Sequence, residues 1–304
     1  MITGIICEFN PFHKGHKYLI DTIKKNGGDV ICVMSGSYVQ RGECAVYSKS
    51  DRAKTALENG ADLVIELPTE LSTLSAQGFA EAGNALLEAT GVCDTIAFGA
   101  ECGDVRELLK IAGEIKNRDS EIKAELEKGV SYPTARKNAV ASPLLDTPNN
   151  ILAIEYLSCT SLKPFCVKRI GKGHDSDDKE YSASEIRKTL DKSSIADIYN
   201  IERAILAKLR TMNAEDFALI DDVSEGLENR IGQAVKTAGS LDELYESVKT
   251  KRYTHSRIRR IVLRAFLGID KSTPKMPLYI RILGFNTRGE ELLGKMKNLK
   301  SEEP

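Results

Sequence analysis

Two of the chain's four histidines stand three residues apart in the segment EFNPFHKGH, Glu8 to His16, with a glycine between them. Asn10-Pro11 excludes a continued strand, so a helix is expected to begin at Lys14 or Gly15. His13 and His16 then face one side at a helix N-terminus, and Gly15 lets a ligand approach the main chain closely. Unpaired first-turn amides, the positive end of the helix dipole and two imidazole N–H groups together suit a phosphate. The loops GxxxxGK[ST] and GxGxxG do not occur, which excludes a Walker-type or dinucleotide site. Two histidines could begin a metal site, but no third histidine or carboxylate at a suitable spacing completes one, and no metal ligand is assigned. A pair of surface or capping histidines is the remaining alternative, and it leaves the string Asn-Pro-Phe-His-x-Gly-His unexplained.

A turn of this kind must be positioned by a strand, and the first hundred residues supply the frame. Short β-branched runs at Thr3 to Cys7, Val30 to Met34, Asp62 to Leu67 and Thr95 to Phe98 alternate with segments of helical spacing. The alternation predicts parallel strands joined by right-handed crossovers, an α/β, Rossmann-like doubly wound parallel sheet. Ligands bind beyond the carboxyl ends of such strands, where EFNPFHKGH lies. Ser48 or Ser50 can cap the helix that runs to Asn59-Gly60, and Gly91 closes the helix through NALLEAT. Residues 104–156 read as helical, with breaks at Pro133, Pro143 and Pro148, and PFCVKRI reads as a fifth strand. Beyond about Leu190 the pattern is helical again, so two domains are expected, a sheet domain over 1–190 and a mainly helical one over 191–304.

Composition narrows the function classes. A formal net charge of −1 announces no polyanion partner for the molecule as a whole, so any nucleic-acid surface must be local. The seven cysteines are scattered, and Cys7, Cys32, Cys159 and Cys166 fall in apolar segments, which reads as reduced core thiols. The apolar segment Ile2 to Cys7 is too short for a signal peptide or a membrane span, and no later run is long enough. A soluble, cytoplasmic protein with no membrane partner is expected.

Further residues carry weaker signals. In YSASEIRKTL, Ser182 and Glu185 form a capping box; Arg187 does not follow from capping, and in the first turn of that helix it could clamp phosphates. Gln40-Arg41-Gly42, Lys49 and Arg52 follow the second strand and are candidates for substrate contact. KRYTHSRIRRIVLRAF holds six basic residues and no acidic one. Ile258, Ile261, Val262, Ala265 and Phe266 make an apolar face at helical spacing, which puts Arg257, Arg260 and Arg264 largely on the other side. Taken alone, this pattern describes a solvated amphipathic helix.

EFNPFHKGH resembles the HxGH signature of the HIGH-type nucleotidyltransferase superfamily. GIICEFNPFHKGH, VMSGSYVQRGECAVYSKSDRAKTALENGADLVIELP, AFGAE, PNNILAIEYL, VSEGLENRI, KRYTHSRIRRIVLRAFLGI and LYIRILGFNTRGEELL together resemble the tRNA(Met) cytidine acetate ligase family. The resemblance implies that ATP and acetate give acetyl-adenylate, with Mg²⁺ expected on the pyrophosphate, and that the acetyl group passes to N4 of the wobble cytidine of elongator tRNA(Met). Acetate is a weak nucleophile and the cytidine amine a weaker one, and a mixed anhydride with AMP gives the amine a good leaving group to displace. Positioning and charge stabilisation on the phosphates answer the first difficulty. DNA is not an expected partner.

The resemblance also implies roles. His13 and His16 would be catalytic, and ATP contacts would run along Ile6, Cys7, Glu8, Phe9, Asn10, Pro11, Phe12, His13, Gly15, His16 and Leu19. Further ATP contacts would come from Gly99 in AFGAE, from the Asn149-Asn150 pair, more through Asn150, from Arg169 and Ile170 after the fifth strand, and from Ser184 and Arg187 in a variant of the second phosphate motif. The basic run would meet RNA through Arg252, His255, Arg257, Arg259, Arg260 and Arg264. Two alternatives share the histidine motif: an adenylyltransferase for a small cofactor precursor, which has no use for the basic helix, and a non-catalytic RNA-binding relative, against which the intact histidine pair argues.

Overall fold

The computed structural model describes residues 1–169, 183–191, 195–224 and 226–300, the last four of these by main chain alone. Ile170 and Ser182, named above as an ATP contact and a capping residue, lie outside the described residues.

Six strands form one sheet: β1 (Ile2–Cys7), β2 (Asp29–Ser35), β3 (Leu63–Leu67), β4 (Thr95–Ala100), β5 (Lys163–Lys168) and β6 (Ile282–Phe285), in the order β5-β4-β1-β2-β3-β6. All neighbours are parallel except β3 and β6. Val30, Cys32, Met34 and Val64 enter one apolar core while Ile31, Val33, Leu63 and Ile65 enter the other, so the central strands are buried on both faces. Buried on two sides, a strand reads as an unbroken apolar run, which is why these were visible in the sequence. Helices Lys14–Lys25 and Lys49–Glu58 cover one face; Ala76–Ala89, Val105–Asn117 and Pro148–Cys159 cover the other. Ser48 caps the second of these by accepting from the Asp51 amide. The fold is the doubly wound α/β sheet that the alternation predicts.

Strand order reverses between β1 and β4, since the chain steps from β1 to β2 and β3 and then returns to the other side of β1. That switch point opens a crevice at the carboxyl ends of β1 and β4.

Helices Glu202–Arg210, Ala214–Ala218, Leu227–Thr237, Leu241–Val248 and His255–Leu267 surround a separate core that includes Leu209, Phe217, Ile231, Leu244 and Ile261. The expectation that 191–304 form one helical unit needs correction at its end, because β6 adds to the sheet and Leu292 is buried in the sheet's own core. Asn286 Nδ2 donates to Asp62 Oδ1 at 3.1 Å, and Arg288 grips the Asp29 carboxylate with bonds of 2.9 and 2.8 Å. These side chains pin the returning segment to the amino ends of β2 and β3.

Candidate active site

The chain leaves β1 through Glu8 and Phe9, and Phe9 adopts a left-handed φ of 45° that a non-glycine residue takes only under constraint. Asn10 fixes the turn in two directions: its Oδ1 accepts from the Val46 amide at 2.7 Å and its carbonyl accepts from Arg187 Nη1 at 2.6 Å. The Asn10–Pro11 peptide is cis. His13 is the N-cap of helix Lys14–Lys25, whose first turn carries no acidic side chain to compete for its amides.

The two imidazoles cap the helix reciprocally. His13 Nδ1 accepts from the Gly15 amide at 3.1 Å, and His16 Nδ1 accepts from the His13 amide at 3.3 Å. Their rings stack with centroids 3.7 Å apart, and Phe9 meets His16 edge-on at 4.9 Å. Because Nδ1 is an acceptor in both, a neutral ring must carry its proton on Nε2, which leaves two N–H donors side by side at the positive end of a helix. Burial pushes His13 down to about 4, aided by the Arg169 charge. His16 is held well below the ordinary imidazole range by burial first, then by His13 and Arg169. The capping alternative is thus true and incomplete, since capping uses one nitrogen of each ring.

These depressed values make stability depend on pH. Between about 4 and about 6.5 the unfolded chain binds a proton at position 13 that the folded chain does not, so stability rises with pH across that window and is flat above it. His13→Asn keeps a good N-cap and removes the titrating ring. The rise in Tm from pH 4.5 to 7 is therefore expected to be smaller in this variant than in the wild-type chain, and equal slopes would contradict the assignment.

A second wall comes from the ends of β4 and β5. Gly99 lies inside β4 rather than in a turn, and a Cβ there would meet Arg169 Cγ at 3.2 Å, so its missing side chain makes room for the arginine stem. Arg169 Nη1 donates to Asn149 Oδ1 at 3.1 Å. Asn150, expected to be the ATP contact of the pair, is buried and its Oδ1 accepts from the Cys102 amide at 3.2 Å; Asn149 is the one that meets Arg169. Glu101 was not singled out in the sequence. Its two oxygens accept from the Asn149 side chain at 2.6 Å and the Asn150 amide at 2.8 Å, capping helix Pro148–Cys159 from outside. Burial raises its carboxyl, but the bonds from Asn149 and Asn150 outweigh that and hold it below the usual range.

Arg187 occupies the second turn of the short helix Ala183–Thr189, not the first, and Ser184 on that helix is exposed. Ile6 and Cys7 are committed to the two cores, so only their main chain can meet a ligand; Leu19 packs at the edge of the same core as Cys7. Glu8 Oε1 accepts from the Gln40 amide at 2.7 Å, and burial raises its carboxyl.

Of the other candidates Arg41 is exposed, Gln40 and Lys49 are partly buried, and Gly42 and Arg52 turn inward. Arg52 is 2% exposed, and its guanidinium donates to the carbonyls of Glu8, Ser35, Gly36 and Tyr47, which corrects its reading as a substrate contact. Lys49 pairs with buried Glu66 at 2.8 Å. Gly42 has φ 75°, and a Cβ there would collide with the Arg259 and Arg260 main chain at 2.6 Å, so it is a packing residue.

Helix His255–Leu267 has a basic face that is covered in part. It lies between the helical core and the loops of the sheet, and its arginines bind across both contacts. Arg260 and Arg264 are buried and paired with Asp222 at 2.9 Å and Asp221 at 2.6 Å, and Arg264 also donates to the Glu70 carbonyl at 2.8 Å. Neither can meet an RNA phosphate. Arg252, His255, Arg257 and Arg259 keep partial exposure, with partners at the Leu126 carbonyl, Glu246, the Asp222 carbonyl and Glu43 respectively. No helix among the described residues is long and apolar enough to cross a membrane.

Comparison with known proteins agrees with this geometry. A family model described as HIGH nucleotidyl transferase matches residues 1–200 and 191–303. The tRNA(Met) cytidine acetate ligase of Acetivibrio thermocellus is 37% identical, over 99% of this chain and 86% of its own. That of Clostridium kluyveri is 38% identical, over 99% and 88%. The crystal structure of Thermotoga maritima TmcAL bound with alpha-thio ATP superposes with a TM-score of 0.87 at 32% identity, covering 98% of this chain and 83% of that one.

Proposed function

Since the chain belongs to the tRNA(Met) cytidine acetate ligase family of HIGH nucleotidyltransferases, we propose that it uses ATP to activate acetate and acetylates N4 of the wobble cytidine of elongator tRNA(Met). The observation that carries this reading is the stacked imidazole pair with both Nδ1 atoms occupied by backbone amides. An acetate oxygen attacks the α-phosphorus, the bond to the bridging oxygen of the β-phosphate breaks, and pyrophosphate leaves. His13 and His16 donate from Nε2 to the phosphate oxygens where charge grows, and the first-turn amides and Arg169 add positive potential. Arg187, held on the Asn10 carbonyl, is the side chain assigned to the β- and γ-phosphates. The cytidine amine then attacks the acetyl carbon, AMP leaves with the anhydride oxygen, and the amine gives up one proton.

No cluster of three His, Cys, Asp or Glu side chains that could hold an ion occurs among the described residues. A magnesium ion would come bound to the phosphates of ATP and supply charge neutralisation there.

Exchange of labelled pyrophosphate into ATP tests the reading. Exchange that depends on acetate is expected; exchange that requires a nucleotide or pantetheine precursor instead, or none at all, would overturn it.

RNA contact runs through Arg252, His255, Arg257 and Arg259. Replacing Arg257 should lower the salt slope of tRNA binding by about 1. Arg264→Met should leave that slope unchanged and cost about 2–3 kcal/mol of stability, because it removes the buried partner of Asp221 and leaves that carboxylate only the more exposed Lys275. A reduced slope in Arg264→Met would return the residue to the RNA surface.

A further inference from the structure

Beside the histidine turn lies a cavity of about 210 Å³ whose wall shares Arg187 with the phosphate chemistry and is otherwise unused by it. A water takes about 30 Å³ in the liquid, so the space suits a ring-sized group better than one or two waters. On one side its wall includes Val46 and Arg187, the two residues that Asn10 holds by hydrogen bonds. On the other it includes Tyr199, Tyr245 and Arg259 from the helical unit. The cavity is therefore built where the two cores meet and abuts the turn that presents His13 and His16.

Its chemistry selects among ligands. Arg187 and Arg259 are balanced by Glu43 and Asp197 in the same lining, and Arg259 is already ion-paired with Glu43. A balanced lining favours a neutral polar group over a phosphate. Arg259 lies over the Tyr245 ring at 5.6 Å, which covers that face. Tyr199 differs: it is 42% exposed, and its hydroxyl donates to Asp242 at 2.7 Å, fixing the ring at the cavity wall. A fixed, accessible aromatic ring is what an unstacked base packs on, and carboxylates are the natural acceptors for the exocyclic amine of cytosine.

Resting on the ligase reading above, we propose that this cavity receives the acceptor cytosine drawn out of its stack, with Tyr199 as the stacking ring and Glu43 and Asp197 as acceptors for its amine. A base that must leave its stack to react explains why the pocket adjoins the nucleotide site, meeting it at Arg187, while Glu43 and Asp197 keep its own lining balanced.

Two reactions measured on one preparation of the full chain test this: acetate-dependent pyrophosphate exchange, and transfer of labelled acetate to unmodified tRNA(Met) transcript. Tyr199→Ala should keep the exchange rate and lose at least about tenfold in transfer, as expected for one lost stacking ring. Tyr199→Phe should transfer nearly as well as the wild-type chain, because the ring remains. Normal transfer by Tyr199→Ala, with exchange present, would overturn the cavity assignment alone. Equal losses in both variants would also overturn it, by showing that the bond to Asp242 matters and the ring does not. Wild-type chain lacking acetate-dependent exchange would bring down the ligase reading, and the cavity assignment with it.

Discussion

His16→Ala is expected to slow acetate-dependent exchange by about two to three orders of magnitude, the usual cost of removing one donor aimed at developing charge. Binding of tRNA should change little, since the basic side chains lie elsewhere. The ring has two jobs, and substitutions separate them. Its Nδ1 accepts from the His13 amide, a capping bond whose loss costs about 1 kcal/mol and does not unfold the chain. Its Nε2–H is the proposed catalytic donor. Asparagine places an atom near the Nδ1 position and nothing at Nε2, whereas the longer glutamine amide reaches toward Nε2. His16→Asn should thus remain nearly as slow as His16→Ala, and His16→Gln should recover part of the rate. Recovery in the asparagine variant but not in the glutamine one would make the cap, and not the donor, the functional contribution.

How far the site could be read from the sequence follows from where its partners sit. His13, Gly15 and His16 act within one helix turn, so their types and spacing announce the helix start and the donor pair proposed to hold phosphate. Strands β1 to β4 were readable too, because they are apolar runs buried on two faces, while their order, and with it the switch point, came from the structure. Glu101 was silent: its partners Asn149 and Asn150 are 48 and 49 residues away, and only the fold makes it a cap. Gly99 could have been a turn glycine, and the neighbouring strand shows that it clears a path for Arg169. The basic run misled for a related reason. A helical wheel separates an apolar face from a polar one but cannot say that the polar face is also covered, as Arg260 and Arg264 are by Asp222 and Asp221. Strand β6 is only four residues long and pairs at the sheet edge, too short a run to declare its period.

Arg52→Met should be the most destabilising change near the site, at about 3–5 kcal/mol from several buried carbonyls left unpaired, lowering Tm by on the order of 10 °C. Among the described residues no carboxylate pairs directly with buried Arg52; its fork instead ties the carbonyls of Glu8, Ser35, Gly36 and Tyr47, closing the carboxyl ends of β1 and β2 onto one another. Methionine fills similar space but leaves those acceptors buried and unpaired, at about 1–3 kcal/mol each before relaxation. Lysine restores the charge and cannot restore the geometry, because an ammonium on a single stem does not span carbonyls that the planar fork reaches together. Arg52→Lys is therefore expected to recover little stability. Were Arg52 instead a substrate contact, both variants would melt like the wild-type chain and differ from it only in KM. Loss of Tm with a fall in exchange would show that the catalytic turn depends on the clasp beneath it, since Glu8 is tied to Arg52 through its carbonyl and leads directly into Phe9 and the histidines.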